Sequence, residues 1–192
     1  MRLWTIQPKT LYEKLKTVKI IHCDQTKSDL ITEWGYSPAY DWLIEQMISK
    51  IGTPPEYVKY PIWAWHTVDW QHKKPDLRRR EFRGYSEDQV CIEIEIPDSD
   101  VLLSDEVMWL YVLNNYYYGN STCDQMFDTE SKWFDSLSPD EQLAAKSKSW
   151  KKIFDVFPCG ENRQDSAGQY IQATFWELKY DQIQLVRHFK GN

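Results

Sequence analysis

The chain has 192 residues, 42% of them hydrophobic, with 23 Lys+Arg against 29 Asp+Glu and a net charge of −6. That is the length of one ordinary domain with a sizeable core, and the acidic balance disfavours a general nucleic-acid coat while leaving room for a local basic patch. No window approaches the roughly 18 apolar residues of a membrane span, and no leader-like stretch or Cys-x-x-Cys pair occurs, so a soluble cytoplasmic protein without a membrane partner is expected.

Met1–Ile6 alternates as a short strand that Gln7-Pro8 ends. Thr10 is the expected cap of a helix over Leu11–Lys16, with Glu13 completing a capping box. Val18–Cys23 reads as a second strand, followed by a polar loop from Asp24 to Ser28. A longer helix spans Ser37–Ile51, capped by Ser37, with Tyr40, Leu43, Ile44, Met47 and Ile51 inward at steps of three and four. Gly52-Thr53-Pro54-Pro55 stops it. Tyr60–His66 is a strand that sets Ile62, Ala64 and His66 on one face against Trp63 and Trp65 on the other.

Between Trp70 and Tyr85 lies the one basic concentration of the chain: Lys73, Lys74, Arg78, Arg79, Arg80 and Arg83. It leads into Gln89–Ile96, the clearest strand, with Val90, Ile92, Ile94 and Ile96 facing a core and Cys91, Glu93 and Glu95 on a face that is at least partly wet. Such alternation argues against a parallel strand covered on both sides. Ser104 or Asp105 caps a helix running to about Asn114, and Tyr116–Asn120 makes an aromatic turn. Helical signals resume over Asp124–Phe134 and Pro139–Phe157, before a polar loop from Pro158 to Gly168. The last elements are a strand over Tyr170–Leu178 and an edge strand over Ile183–Phe189. The expected fold is a single α+β domain over 1–192, a mainly antiparallel or mixed sheet packed with several helices.

Walker A, Gly-x-Gly-x-x-Gly, Gly-x-Ser-x-Gly and His-Glu-x-x-His patterns are all absent. His66, His72 and Asp69 fall short of a ligand set, so no metal is expected. The basic segment is the strongest signal, because arginine matches phosphate in a fork and aromatic faces stack on a base or nicotinamide. Lys74, Arg78 and Arg79 are therefore candidate phosphate contacts, with Trp63 or Trp65 as ring contacts; the choice among Arg78, Arg79 and Arg80 stays open. The plainer alternative is a solvated loop neutralised by neighbouring acids. His66 is a candidate base through its near-neutral pKa, or a satisfied structural histidine. Glu177, late in a hydrophobic strand, needs a cationic partner such as Arg2 or a loop arginine. Gln172 and Thr174, opposite it, suit a polar cleft. Tyr116–Tyr118 suggests an aromatic patch for a protein partner.

The blocks RLWTIQP, AYDWLIEQM, YPIWAW, KKPDLRR, VCIEIEIP with VLLSD, and IQATFWELK resemble the bacterial domain-of-unknown-function family 3841 over almost the whole chain. That resemblance implies no activity and carries no functional residue over. The order of elements is also somewhat similar to ADP-ribosyltransferase-type domains, which bind NAD in a sheet cleft using a first-strand Arg or His and a late Glu. This likeness implies NAD as cofactor, Arg2 in the early position with Thr5 close by, and Gln172 or Glu177 in the late one; the late strand departs from the usual pattern. The leading expectation is thus a nucleotide- or NAD-binding group-transfer domain using Glu177, His66 and Gln172; the alternatives are a noncatalytic interaction or regulatory module with an aromatic-rich surface and a nucleic-acid-end binder using the basic loop.

Overall fold

Alternating apolar residues in the first and fourth strands organise the sheet. The computed structural model describes residues 1–24, 26, 33, 35–83, 87–121, 123–156 and 167–191. In chain order the elements are β1 (Arg2–Pro8), α1 (Lys9–Val18), β2 (Ile20–Ile21), α2 (Ser37–Ile51), β3 (Ile62–Val68), β4 (Asp88–Glu95), β5 (Leu102–Asp105), α3 (Glu106–Leu113), α4 (Asp124–Asp135), α5 (Pro139–Trp150), β6 (Tyr170–Phe175), β7 (Leu178–Lys179) and β8 (Ile183–Lys190). The main sheet has the order β5-β6-β3-β1-β4-β8, and each neighbouring pair is antiparallel. β2 and β7 form a separate two-stranded pair. This is a single α+β domain, as the strand patterns led one to expect.

Register partners share a face, so the pairing divides the side chains. Leu3, Thr5, Val90, Ile92, Ile94, Ala64, Ala173 and Phe175 face one core. α1 covers it with Leu15, completely buried, and Ile21 and Leu178 close it from the small pair. Burying each such Leu or Ile contributes about 1.5–3 kcal/mol. The opposite face carries Trp4, Trp65 and Trp63 in β1 and β3, and Cys91 and Glu93 in β4. Its β5-β6 side lies under α2, α3 and α5, where Tyr40, Leu43, Met47, Met108, Trp109, Val112 and Trp150 are buried. Its β1-β4-β8 side lies under the basic loop.

Local signals explain most boundaries. Ser138 and Glu141 form a capping box at α5, with Pro139 in the first turn, an arrangement worth about 1 kcal/mol. Asp105 caps α3 by accepting from the Met108 amide at 3.0 Å. Three expectations shift. α1 starts at Lys9 behind Pro8, without a side-chain cap, because the fixed φ of Pro8 (−54°) already leads into the helix; Thr10 sits inside it. Ser37 is the first residue of α2 and Tyr36 its cap. The helix begun at Pro139 changes to a 3-10 turn over Lys151–Phe154; most of the Pro158–Gly168 loop lies outside the described residues, as does most of Asp24–Ser28.

One face assignment is also corrected. The register between β3 and β6 slips between Trp65 and Thr67, and this bulge turns His66 away from Ile62 and Ala64, so that it stacks on His72 at 4.2 Å beside Trp4. The second face of β4 is partly wet, as the alternation led one to expect: Glu95 is exposed and Glu93 half-buried, while Cys91 and Gln89 are buried where the basic loop folds over them.

Candidate functional site

The basic loop is fastened by its own charges. Arg79 donates to both oxygens of Asp69 at 3.1 and 2.9 Å and to the Tyr170 hydroxyl at 2.5 Å, and lies 2.7 Å from Glu81. Tyr170 in turn donates to Glu81 at 2.9 Å. The guanidinium sits over the Phe82 and Tyr170 rings at 5.7 and 5.9 Å, and Phe82 packs edge-on against Trp65. Asp69 is held below the usual carboxylate range, first by its hydrogen bonds from Arg79 and then by Lys73. Arg78 grips Asp76 through Nε and Nη2, at 2.9 and 2.7 Å, and pushes that carboxyl down strongly. Arg83 donates to the Lys190 carbonyl at 3.1 and 2.9 Å. Two of the arginines expected to hold phosphate, Arg78 and Arg79, are thus paired with carboxylates of the protein itself, while Arg80 is exposed.

Between this loop and the sheet lies a groove of about 570 Å³, walled by Trp4, Lys73, Lys74, Leu77, Arg78 and Arg79 and, from the strands, by Cys91, Glu93, Leu185 and Arg187. Arg2 meets Glu93 at 3.4 Å, and the Trp4 indole donates to the same carboxylate at 3.2 Å. Lys74 and Arg187 line the groove with no carboxylate partner among the described residues. Cys91 forms part of its wall as a thiol pushed up to about 12 by burial, a charge-averse environment that Arg187 and Lys74 only partly offset.

The remaining candidates are dispersed. His66 is driven down to about 4 by burial and by the neighbouring His72, so it is neutral at physiological pH, with Nδ1 2.9 Å from the Thr67 hydroxyl. Trp63 belongs to the helical core, against Tyr40 and Trp109. Gln172 pairs in register with Trp65 and Ser104, and its Oε1 and the Ser104 Oγ are buried without a hydrogen-bond partner among the described residues. Glu177 lies beyond the end of β6, beside the small pair, bonded to His22 at 2.9 Å and 3.6 Å from Lys179. Its partners are therefore neither Arg2 nor a loop arginine, because the chain turns after Phe175 to pair β7 with β2. Arg79, His66, Gln172 and Glu177 share no described cavity, and only Arg79 of the four lines the groove. Among the described residues no cluster of three or more His, Cys, Asp or Glu could hold a metal ion, and no helix is long and apolar enough to cross a membrane.

A second surface was only half visible in the sequence. α4 buries none of its residues. Phe127 is 62% exposed, Trp133 47% and Met126 49%, and the adjoining elements present Leu110 and Tyr111 on α3, Tyr116 after it, and Leu143 on α5. Tyr117 holds α4 by stacking on Phe134 at 4.9 Å and meeting Trp133 edge-on. Glu130 accepts from Tyr117, from the Asn120 and Ser121 amides and from the Ser121 hydroxyl, at 2.7–3.1 Å. Lys152 and Ser149 bind the same loop from the other side. The aromatic turn at Tyr116–Tyr118 is thus split: Tyr116 is exposed, while Tyr117 and Tyr118 pack inward against Phe134 and Tyr111. The available signal was the Met126, Phe127, Trp133 and Phe134 set at helical spacing in a segment otherwise rich in charge.

The chain belongs to the family described as Domain of unknown function (DUF3841), whose profile matches residues 2–184. No curated protein and no solved structure matches it. None of these findings supports a likeness to ADP-ribosyltransferase-type domains.

Proposed function

We propose that this DUF3841 domain is a noncatalytic protein-interaction or regulatory module whose recognition surface is the aromatic face of α3, α4 and α5. The observation that carries the reading is α4 itself, a helix with large apolar side chains and no buried residue, set beside a helical core that buries Tyr40, Trp109 and Trp150. Solvent-exposed aromatic and Met clusters of this kind are the usual anchors of protein interfaces, where they supply large apolar area and Tyr and Trp add a polar handle. The loop from Tyr117 to Ser121 is tied to Glu130, which presents α4 in a fixed pose and lowers the entropy lost on association.

The test is affinity capture with the intact chain and with Phe127→Asp and Trp133→Ser. A companion retained by the parent and lost by both variants, whose melting curves match the parent's, supports the reading. Equal recovery by all three proteins overturns it. The group-transfer alternative has one observation in its favour, the basic groove; Glu177, His66 and Gln172 lie outside that groove, so it would act as a container without those reacting groups. NAD turnover by the purified chain is the readout that would favour it.

A further inference from the structure

We infer that the groove beneath the basic loop receives an extended acidic segment of another protein, added as a new strand along β8. This surface is separate from the aromatic face and does not depend on it.

The first observation is topological. β8 ends the main sheet and pairs with β4 on one side only; among the described residues no strand occupies its other edge. An open edge of 8 residues is a template for an incoming backbone. Arg83 closes just its far end, at the Lys190 carbonyl.

The second is charge. The groove continues into an adjoining cavity of about 520 Å³, and Leu77, Arg78 and Arg187 line both. Its carboxylates are already met: Asp69 by Arg79 and Lys73, Asp76 by Arg78, Glu93 by Arg2. Lys74, Arg83 and Arg187 keep their charge, with no carboxylate partner among the described residues. On a chain of net charge −6 this is a local inversion of sign, suited to an acidic partner.

The third is register. Leu185 and Arg187 oppose Glu93 and Cys91, so they project on the face under the basic loop. Alternate side chains of an added strand would lie on that same face. Acidic side chains there would meet Arg187 and Lys74, and apolar ones would cover the exposed Leu185.

Other occupants fit less well. A second copy paired edge to edge would set side by side two strands that each carry Arg187 and Lys190 and no carboxylate. Trp4, the one aromatic side chain lining the larger groove among the described residues, is 6% exposed and edge-on to His72, which leaves a nucleotide no ring face there.

The experiment uses the intact chain and a fluorescein-labelled peptide as long as β8 (8 residues), alternating Val and Glu. Saturable binding is expected, weakened about tenfold by Arg187→Ala and again by Lys74→Ala, both exposed positions whose variants keep the parent circular dichroism. A central proline in the peptide should weaken binding by about the same factor, since it removes a ladder donor, and β8 amides should gain protection from hydrogen exchange. Equal affinity for a Val-Lys peptide, indifference to the proline, or no saturation at millimolar peptide overturns the inference. So does displacement by ATP or pyrophosphate at lower concentration than the peptide itself, with β8 amides unprotected, which would make the groove a small-anion site. Phe127→Asp should leave this binding unchanged, so failure here and failure of the aromatic face are read separately.

Discussion

Trp63 and Trp65 stand two residues apart on one face of β3, yet the first is held by Tyr40 and Trp109 and the second by Phe82 and Tyr170. Around Trp63 the packing is aromatic against aromatic, dry and contributed by α2 and α3. Around Trp65 the outer layer is ionic: Phe82 and Tyr170 are themselves clasped by Arg79, Asp69 and Glu81. One side of the sheet face is closed by apolar area, the other by a charge network at the margin of solvent. The contrast teaches that cationic residues concentrated in a sequence need not be offered to a ligand. Here most of them are paired with carboxylates or tie the loop down, and those without a carboxylate partner are left for a ligand.

The strongest way to break this contrast is to remove a residue from each side. Trp109→Ala leaves a void among Tyr40, Trp63 and Val112 and should cost about 3–5 kcal/mol in a denaturant titration. Arg79→Ala should lower the midpoint by less, and should instead abolish hydrogen-exchange protection locally in the 69–82 segment. A comparable global loss from Arg79→Ala would mean that the ionic side is as much a core as the aromatic one.

A smaller effect comes from His66, at the seam. Its folded pKa is about 4 against an ordinary 6.5, so the unfolded chain takes up its proton first. The stability contributed by the neutral ring is complete above pH 6.5, declines as pH falls toward 4 and falls no further below that. Denaturant midpoints measured across this interval should slope downward in the parent and more shallowly in His66→Gln. Parallel slopes would assign the acid sensitivity elsewhere. The smallest change should follow Ser104→Ala, which removes a buried hydroxyl with no partner among the described residues. The midpoint should hold or rise, by up to about 1 kcal/mol; a clear fall would reveal a hydrogen bond at that site.

What could be read in the residues depended on how far apart the interacting groups lie. The strand at Gln89–Ile96, the helix at Ser37–Ile51 and the edge strand at the C-terminal end are written in alternation, spacing and stop residues, all within one element. The Ser138/Glu141 box is equally local. His66 was misassigned because a bulge against β6, about a hundred residues later, reverses its side. The covered state of Cys91 depends on where the basic loop comes to rest, and Glu177 on the pairing of β7 with β2. The partition of Tyr116, Tyr117 and Tyr118 needed the position of α4. Composition showed that aromatic side chains were abundant, and only the tertiary packing shows which of them remain at the surface.

The order of strands in the sheet has a bearing on how the molecule can come together. β1, made from residues 2–8, lies in the interior of the sheet, flanked by strands that begin at residues 62 and 88, and each of those is joined in turn to one from beyond residue 169. No early stretch of the polypeptide is therefore a smaller copy of the whole. Cut anywhere in the middle, both pieces would carry orphaned ladder partners, and assembly must wait for contacts between distant parts rather than grow outward from a finished first half.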